Sequence, residues 1–119
     1  MFEIRPDIVV KLSGQDIDDI MVTALEGGIC YWCCEAEVVG GEYLGEYASD
    51  QISRGGELRL YDAESEDSWV LTLDKFLDGF KLWLENGGYL EYGADISDID
   101  ADAADQIVQF SIFGELVFG

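Results

Sequence analysis

Four Gly-Gly doublets, at Gly27-Gly28, Gly40-Gly41, Gly55-Gly56 and Gly87-Gly88, cut the 119-residue chain into short pieces. Glycine reaches positive φ without steric cost, so a doublet stops a helix or turns a strand. Each doublet therefore marks an element boundary. No internal repeat, low-complexity tract or Pro/Ser-rich linker interrupts the pieces, and a chain of this length is expected to form one domain.

Local signals fill in the pieces. Asp7 to Leu12 is a β-rich run. Ser13 opens a helix, with Asp16 three residues on as a short-armed capping box. Ile17, Ile20, Met21, Ala24 and Leu25 recur along that helix at helical spacing, and Gly27 closes it. Ile29 to Val39 reads as a strand, with Cys30, Trp32, Cys34, Ala36 and Val38 on one face and Tyr31, Cys33, Glu35, Glu37 and Val39 on the other. Glu42 to Arg54 pairs Tyr43 with Tyr47 and Leu44 with Ala48 at i,i+4, which predicts a helix weakened by Gly45. Glu57 to Asp62 and Ser68 to Thr72 form a hairpin about a polar loop.

Thr72 caps the clearest helix, whose apolar stripe is Leu73, Phe76, Leu77, Phe80 and Leu84, flanked by Trp83. Asp100 caps another, carrying Ile107, Val108, Phe110, Ile112 and Phe113, with Gly114 as its stop. Leu116 to Phe118 reads as a final strand. Helices and strands do not alternate in regular βαβ order. The expected fold is α+β: a small, largely antiparallel sheet with three to four helices in a single compact domain over residues 1–119.

Charge decides the rest. The chain has 26 Asp and Glu against 6 Lys and Arg, a net charge of −20, and no histidine. Acidic disordered segments are poor in apolar residues, whereas this chain is 49% hydrophobic and 13% aromatic and can bury a core. The imbalance opposes direct binding to nucleic acid or to an anionic membrane, which both select basic patches, and favours a basic protein as partner. No apolar run is long enough to span a bilayer, and the first residues lack the pattern of a signal peptide, so a cytoplasmic protein is expected.

The stretch Tyr43-Leu-Gly-Glu-Tyr-Ala-Ser-Asp-Gln-Ile-Ser-Arg-Gly-Gly56 and the tail Phe110-Ser-Ile-Phe-Gly-Glu-Leu-Val-Phe-Gly119 resemble small acidic proteins of Firmicutes prophages and conjugative elements. The resemblance implies a mobile-element context, where acidic inhibitors of restriction and CRISPR enzymes recur. It carries over no functional residues, because no activity is assigned to that group.

No Lys or Arg occurs between Leu12 and Ser53 or between Leu82 and Gly119. Within the second stretch, Asp95, Asp98, Asp102 and Asp105 have a 3-4-3 spacing that places them on one helix face if the helix begins early, roughly 5–6 Å apart. They are the first candidates for partner contacts, followed by Asp16, Asp18 and Asp19. The competing reading is that acids gather at helix N-termini for capping and for the dipole. Surface scaling allots about 250 Å² per carboxylate, against about 100 Å² per phosphate on duplex DNA. Mimicry of nucleic acid therefore requires that the acids cluster. The bland alternative is a dispersed, solubilising surface.

Other chemistries lack parts. Asp98-x-Asp100-x-Asp102 begins like a calcium loop, but Ala103 stands where Gly is needed and Gln109 where the bidentate Glu is needed. Cys30, Cys33 and Cys34 are one ligand short of a structural zinc site and read as reduced, packed thiols. Without histidine or a phosphate-binding loop, no catalytic set assembles; no enzyme, metal or cofactor is expected. Tyr43, Tyr47, Tyr89 and Tyr92 are either interface anchors or core. Two main readings stand: an acidic protein-binding module that inhibits a basic nucleic-acid-handling protein by mimicry, and an adaptor that uses an apolar interface. An enzyme of unrecognised type is a distant third.

Overall fold

The computed structural model describes residues 11–86 and 99–119. The fold is α+β, with three α-helices and a three-stranded antiparallel sheet among the described residues. Helix α1 spans Gly14–Thr23 and runs into a π-turn, Ala24–Gly28. Strand β1 is Cys33–Val38, β2 is Leu58–Asp62 and β3 is Ser68–Leu71. Helix α2 is Leu73–Glu85 and α3 is Ala101–Phe113. The sheet order is β1-β2-β3.

Each helix starts where a side chain can take up orphan backbone donors. Ser13 and Asp16 form a reciprocal capping box on α1. Thr72 Oγ1 accepts from the Lys75 amide at 3.2 Å at the start of α2. Asp100 accepts from the Ala103 amide at 2.8 Å at the start of α3. Gly114, at φ 72°, ends α3 in the left-handed region. Asp100 is thus a cap and residues 101–113 are helical, so the calcium-loop geometry does not form.

The inner face of the sheet follows from register. Val38 pairs with Leu58 and Leu58 with Leu71, while Ala36 pairs with Leu60 and Leu60 with Trp69. These six side chains point toward the helices and join the core. The outer face carries Glu35, Glu37, Arg59 and Tyr61, where Tyr61 donates to Glu37 at 3.1 Å. On the inner side α3 packs along α2 and touches β3, α1 and the π-turn. Phe76, Phe80, Ile107 and Phe110 are all buried, as the two apolar stripes require.

Four expectations are corrected. The strand predicted from Ile29 begins only at Cys33, because Trp32 and Cys33 bond back to the Ile29 carbonyl in a turn. A register shift between Cys33 and Glu35 then breaks the alternation, so Trp32 and Cys33 are both buried and Cys34 is exposed. The stripe of α2 is rotated: its buried face is Phe76, Gly79, Phe80 and Trp83, with Leu77 outside. A Cβ on Gly79 would overlap the backbone of Ser111, so its absence is what lets α3 cross so closely.

The helix predicted over 42–54 is replaced by bends and a short 3₁₀ turn, Ala48–Asp50. Its backbone donors find side chains instead: Glu46 and Tyr47 amides donate to Asp50 at 3.1 Å each, and the Leu44 amide to Gln51 at 3.1 Å. Residues Leu116 to Phe118, expected as a strand, form an irregular tail that folds back onto α3. The β-rich run before Lys11 and the last Gly-Gly doublet lie outside the described residues.

Candidate binding surfaces

Asp105 is the hub of the first surface. It sits in the second turn of α3 and is only 8% exposed. Trp32 Nε1 donates to one of its oxygens at 2.7 Å, as does Gln109 Nε2 at 2.9 Å. The Tyr31 hydroxyl donates to the other at 2.5 Å. Gly28 makes this meeting possible. A Cβ there would lie 2.6 Å from the Ala101 carbonyl and 3.4 Å from the Asp105 amide, so only glycine lets the turn before β1 press against the start of α3.

Gln109, fully buried, links the hub to the tail. Its Oε1 accepts from the amides of Val117 and Phe118, both at 2.8 Å, and its Nε2 donates to the Phe118 carbonyl at 3.1 Å. The tail thereby lays Phe118 flat on Trp32, with centroids 5.0 Å apart and planes 3° apart. Trp69 and Phe113 complete the aromatic cluster.

Beside this network lies an open depression of about 480 Å³. Tyr31, Asp102, Asp105, Leu116 and Phe118 are among the residues that line it. The Tyr31 hydroxyl is pushed up to about 12, first by its own desolvation, then by its hydrogen bond to Asp105 and that residue's charge, with Asp102 adding to the effect. It therefore stays a neutral donor at physiological pH.

The second surface is the 41–51 loop. Tyr43, Leu44 and Tyr47 are 55%, 44% and 60% exposed. They are held up by a built loop: buried Gln51 donates to the Glu42 carbonyl at 3.1 Å while accepting from Leu44, and Asp50 accepts from two amides. Exposed Glu42 precedes Tyr43, and exposed Glu46 lies between Leu44 and Tyr47 in the chain. Tyr43 and Tyr47 are thus surface groups; Tyr89 and Tyr92 lie outside the described residues.

Of the seven nominated aspartates, the five within the described residues differ in how they are placed. Asp95 and Asp98 lie outside the described residues. Asp102 is exposed, but Asp105, one turn on, is turned inward. Asp16 is held by its capping box, with the Ser13 amide 2.9 Å away. Asp18 is 8% exposed and accepts from the Ser53 hydroxyl at 2.5 Å, with Arg54 at 3.4 Å. It ties the turn after the 3₁₀ segment to α1 rather than facing a partner. Asp19 is exposed and accepts from Gln15 at 2.8 Å. From the sequence Gln109 figured only as a departure from a calcium loop, not as the residue that holds the tail. Its one signal was an amide i,i+4 from an acid inside an apolar helical stretch.

Among the described residues no group of three or more Cys, Asp or Glu is arranged to hold a metal ion. The thiols instead donate to carbonyls: Cys30 to Leu25 at 3.4 Å and Cys33 to Glu35 at 3.3 Å. Burial pushes the Cys33 thiol up. No described helix is long and apolar enough to cross a membrane. No family model matches the sequence, and no curated protein or solved structure matches it.

Proposed function

We propose that this protein is an acidic protein-binding module that engages a basic partner through Tyr43, Leu44 and Tyr47. The observation that carries the reading is the braced loop that holds these three apolar side chains exposed, with exposed Glu42 and Glu46 adjacent to them in the chain. Ordered tyrosines offer large contact area at low conformational cost, and they are favoured as interface anchors. The net charge of −20 supplies the complementary half of the argument. It speeds encounter with a basic protein and makes association sensitive to salt.

The sharper form of the proposal is inhibition of a nucleic-acid-handling protein by mimicry, in a cytoplasmic, mobile-element setting. It draws on the resemblance to prophage proteins and on the two long stretches without Lys or Arg. Asp19 and Asp102 are its exposed described carboxylates; the inward turn of Asp18 and Asp105 shifts weight from an exposed acidic face to the aromatic anchors. The plain adaptor is the second reading, favoured by the same exposed loop. In both, the module has no catalytic role.

The experiment is capture from host cytosol with the wild type and with the Tyr43→Ala/Tyr47→Ala double variant. Capture of a basic protein should be lost in the double variant and should weaken at high salt. Equal capture by the double variant would refute the anchor assignment. The captured protein's nucleic-acid binding is then measured against rising amounts of the module. Mutual loss of affinity supports mimicry, while simultaneous binding of both ligands leaves the adaptor.

A further inference from the structure

We propose that the depression beside α3 receives an arginine side chain of the basic partner, an inference that rests on the module reading above. Three features of the depression select a guanidinium group. Its volume of about 480 Å³ falls within the range of ligand clefts, about 300–1,000 Å³. Its walls join two carboxylates to an aromatic and an aliphatic surface, and among the described residues no Lys or Arg lines it. A planar guanidinium is weakly hydrated, stacks on aromatic rings and presents a fork of donors, whereas an ammonium is a compact, strongly hydrated charge.

The hydrogen-bond accounting leads to the same group. An ionised carboxylate offers about four lone-pair sites. One oxygen of Asp105 takes two donors, from Trp32 and Gln109, and the other takes only Tyr31. One acceptor site therefore remains on the Tyr31 side. Asp102, exposed and one turn earlier, lines the same depression. In the proposed pose the forked donor meets both carboxylates, with Phe118 and Leu116 beside it in the same depression. A metal ion is disfavoured, because most of the Asp105 lone pairs are already taken.

The test is an NMR titration of the ¹⁵N-labelled protein with the capped tripeptides acetyl-Gly-Arg-Gly-amide, acetyl-Gly-Lys-Gly-amide and acetyl-Gly-Gln-Gly-amide. The arginine peptide should move the Trp32 indole N–H, the Gln109 side-chain amide and the Val117 and Phe118 amides. The lysine peptide should do so more weakly and the glutamine peptide not at all. Asp102→Asn should weaken the arginine peptide by about two- to five-fold, the range of a partly solvated ion pair. Absence of shifts up to millimolar peptide, equal shifts with the glutamine or lysine peptide, or indifference to Asp102→Asn would each overturn the proposal. No partner is needed for this titration. Silent peptides with intact, tyrosine-dependent capture would remove the pocket and leave the module. Peptide binding with capture indifferent to Tyr43 and Tyr47 would do the reverse.

Discussion

Replacing Gln109 by alanine should unfasten the tail. Five polar contacts converge on this side chain, three of them to the tail backbone and two to Asp105 and Tyr31, with the two amide hydrogens shared among three acceptors. A typical intramolecular hydrogen bond contributes about 1 kcal/mol net, and one to a charged group about 1.5–3 kcal/mol. The simple sum exceeds the expected loss, because the freed tail amides can turn to water. What remains is the charged contact to Asp105, the Phe118–Trp32 stack at about 0.5–1.5 kcal/mol, and the space left behind. We expect Gln109→Ala to cost about 3–4 kcal/mol.

Urea unfolding followed by tryptophan fluorescence measures that loss, and amide exchange at Val117 and Phe118 should accelerate with it. Gln109→Glu separates geometry from charge. The isostere keeps an acceptor for the tail but sets a second carboxylate against Asp105, which should hold its own carboxyl above the usual range. Its folded form then binds the extra proton more tightly than the unfolded chain. The variant should therefore be most stable in mild acid and lose stability as pH rises through that raised value. A Gln109→Ala loss below about 1 kcal/mol, or tail amides that exchange as before, would refute the view that this side chain holds the tail.

The raised Tyr31 hydroxyl sets a window at alkaline pH. Its stabilising contribution is complete below its ordinary value of 10.0 and fades as pH climbs toward about 12. The stability difference between wild type and Tyr31→Phe should shrink over that interval, and a difference constant across it would contradict the assignment. Thiol titration with a disulfide reagent should show exposed Cys30 and Cys34 reacting quickly and buried Cys33 only on unfolding; three equal rates would contradict the bulge. Gly79→Ala should cost at least about 1–3 kcal/mol by overpacking against Ser111. A neutral result in thermal melts would mean that α2 and α3 cross less tightly than described.

What could be read ahead of the structure was what residues a few positions apart determine. Ser13 with Asp16, Thr72, Asp100 and Gly114 marked helix ends through local hydrogen bonds and backbone preference, and all four act there. The hairpin and the buried phenylalanines followed from periodicity. The failures share a different cause. The i,i+4 pairs of Tyr43 and Leu44 looked helical, but Asp50 and Gln51 outcompeted the helix for its own amides. Asp105 looked like a solvated helix-start acid. Its burial depends on Tyr31 and Trp32, more than 70 residues away, and no local pattern encodes that meeting. The rotated face of α2 likewise depends on Gly79 meeting Ser111, a tertiary fact.

The separation of those partners has a kinetic meaning. The hairpin with α2, and α1 with its π-turn, are contiguous pieces whose contacts close short loops. The aromatic corner instead needs the turn at Tyr31 and Trp32, the helix carrying Asp105 and Gln109, and then Phe118. Closing loops of this length costs more chain entropy, and contacts of high sequence separation form slowly. On a ribosome, Trp32 would be synthesised early, meet Trp69 and Phe113 later, and gain its stacking partner only once Phe118 had emerged. The corner is therefore expected to assemble late, with the sides of Trp32 and Trp69 that face Phe118 the last to be covered.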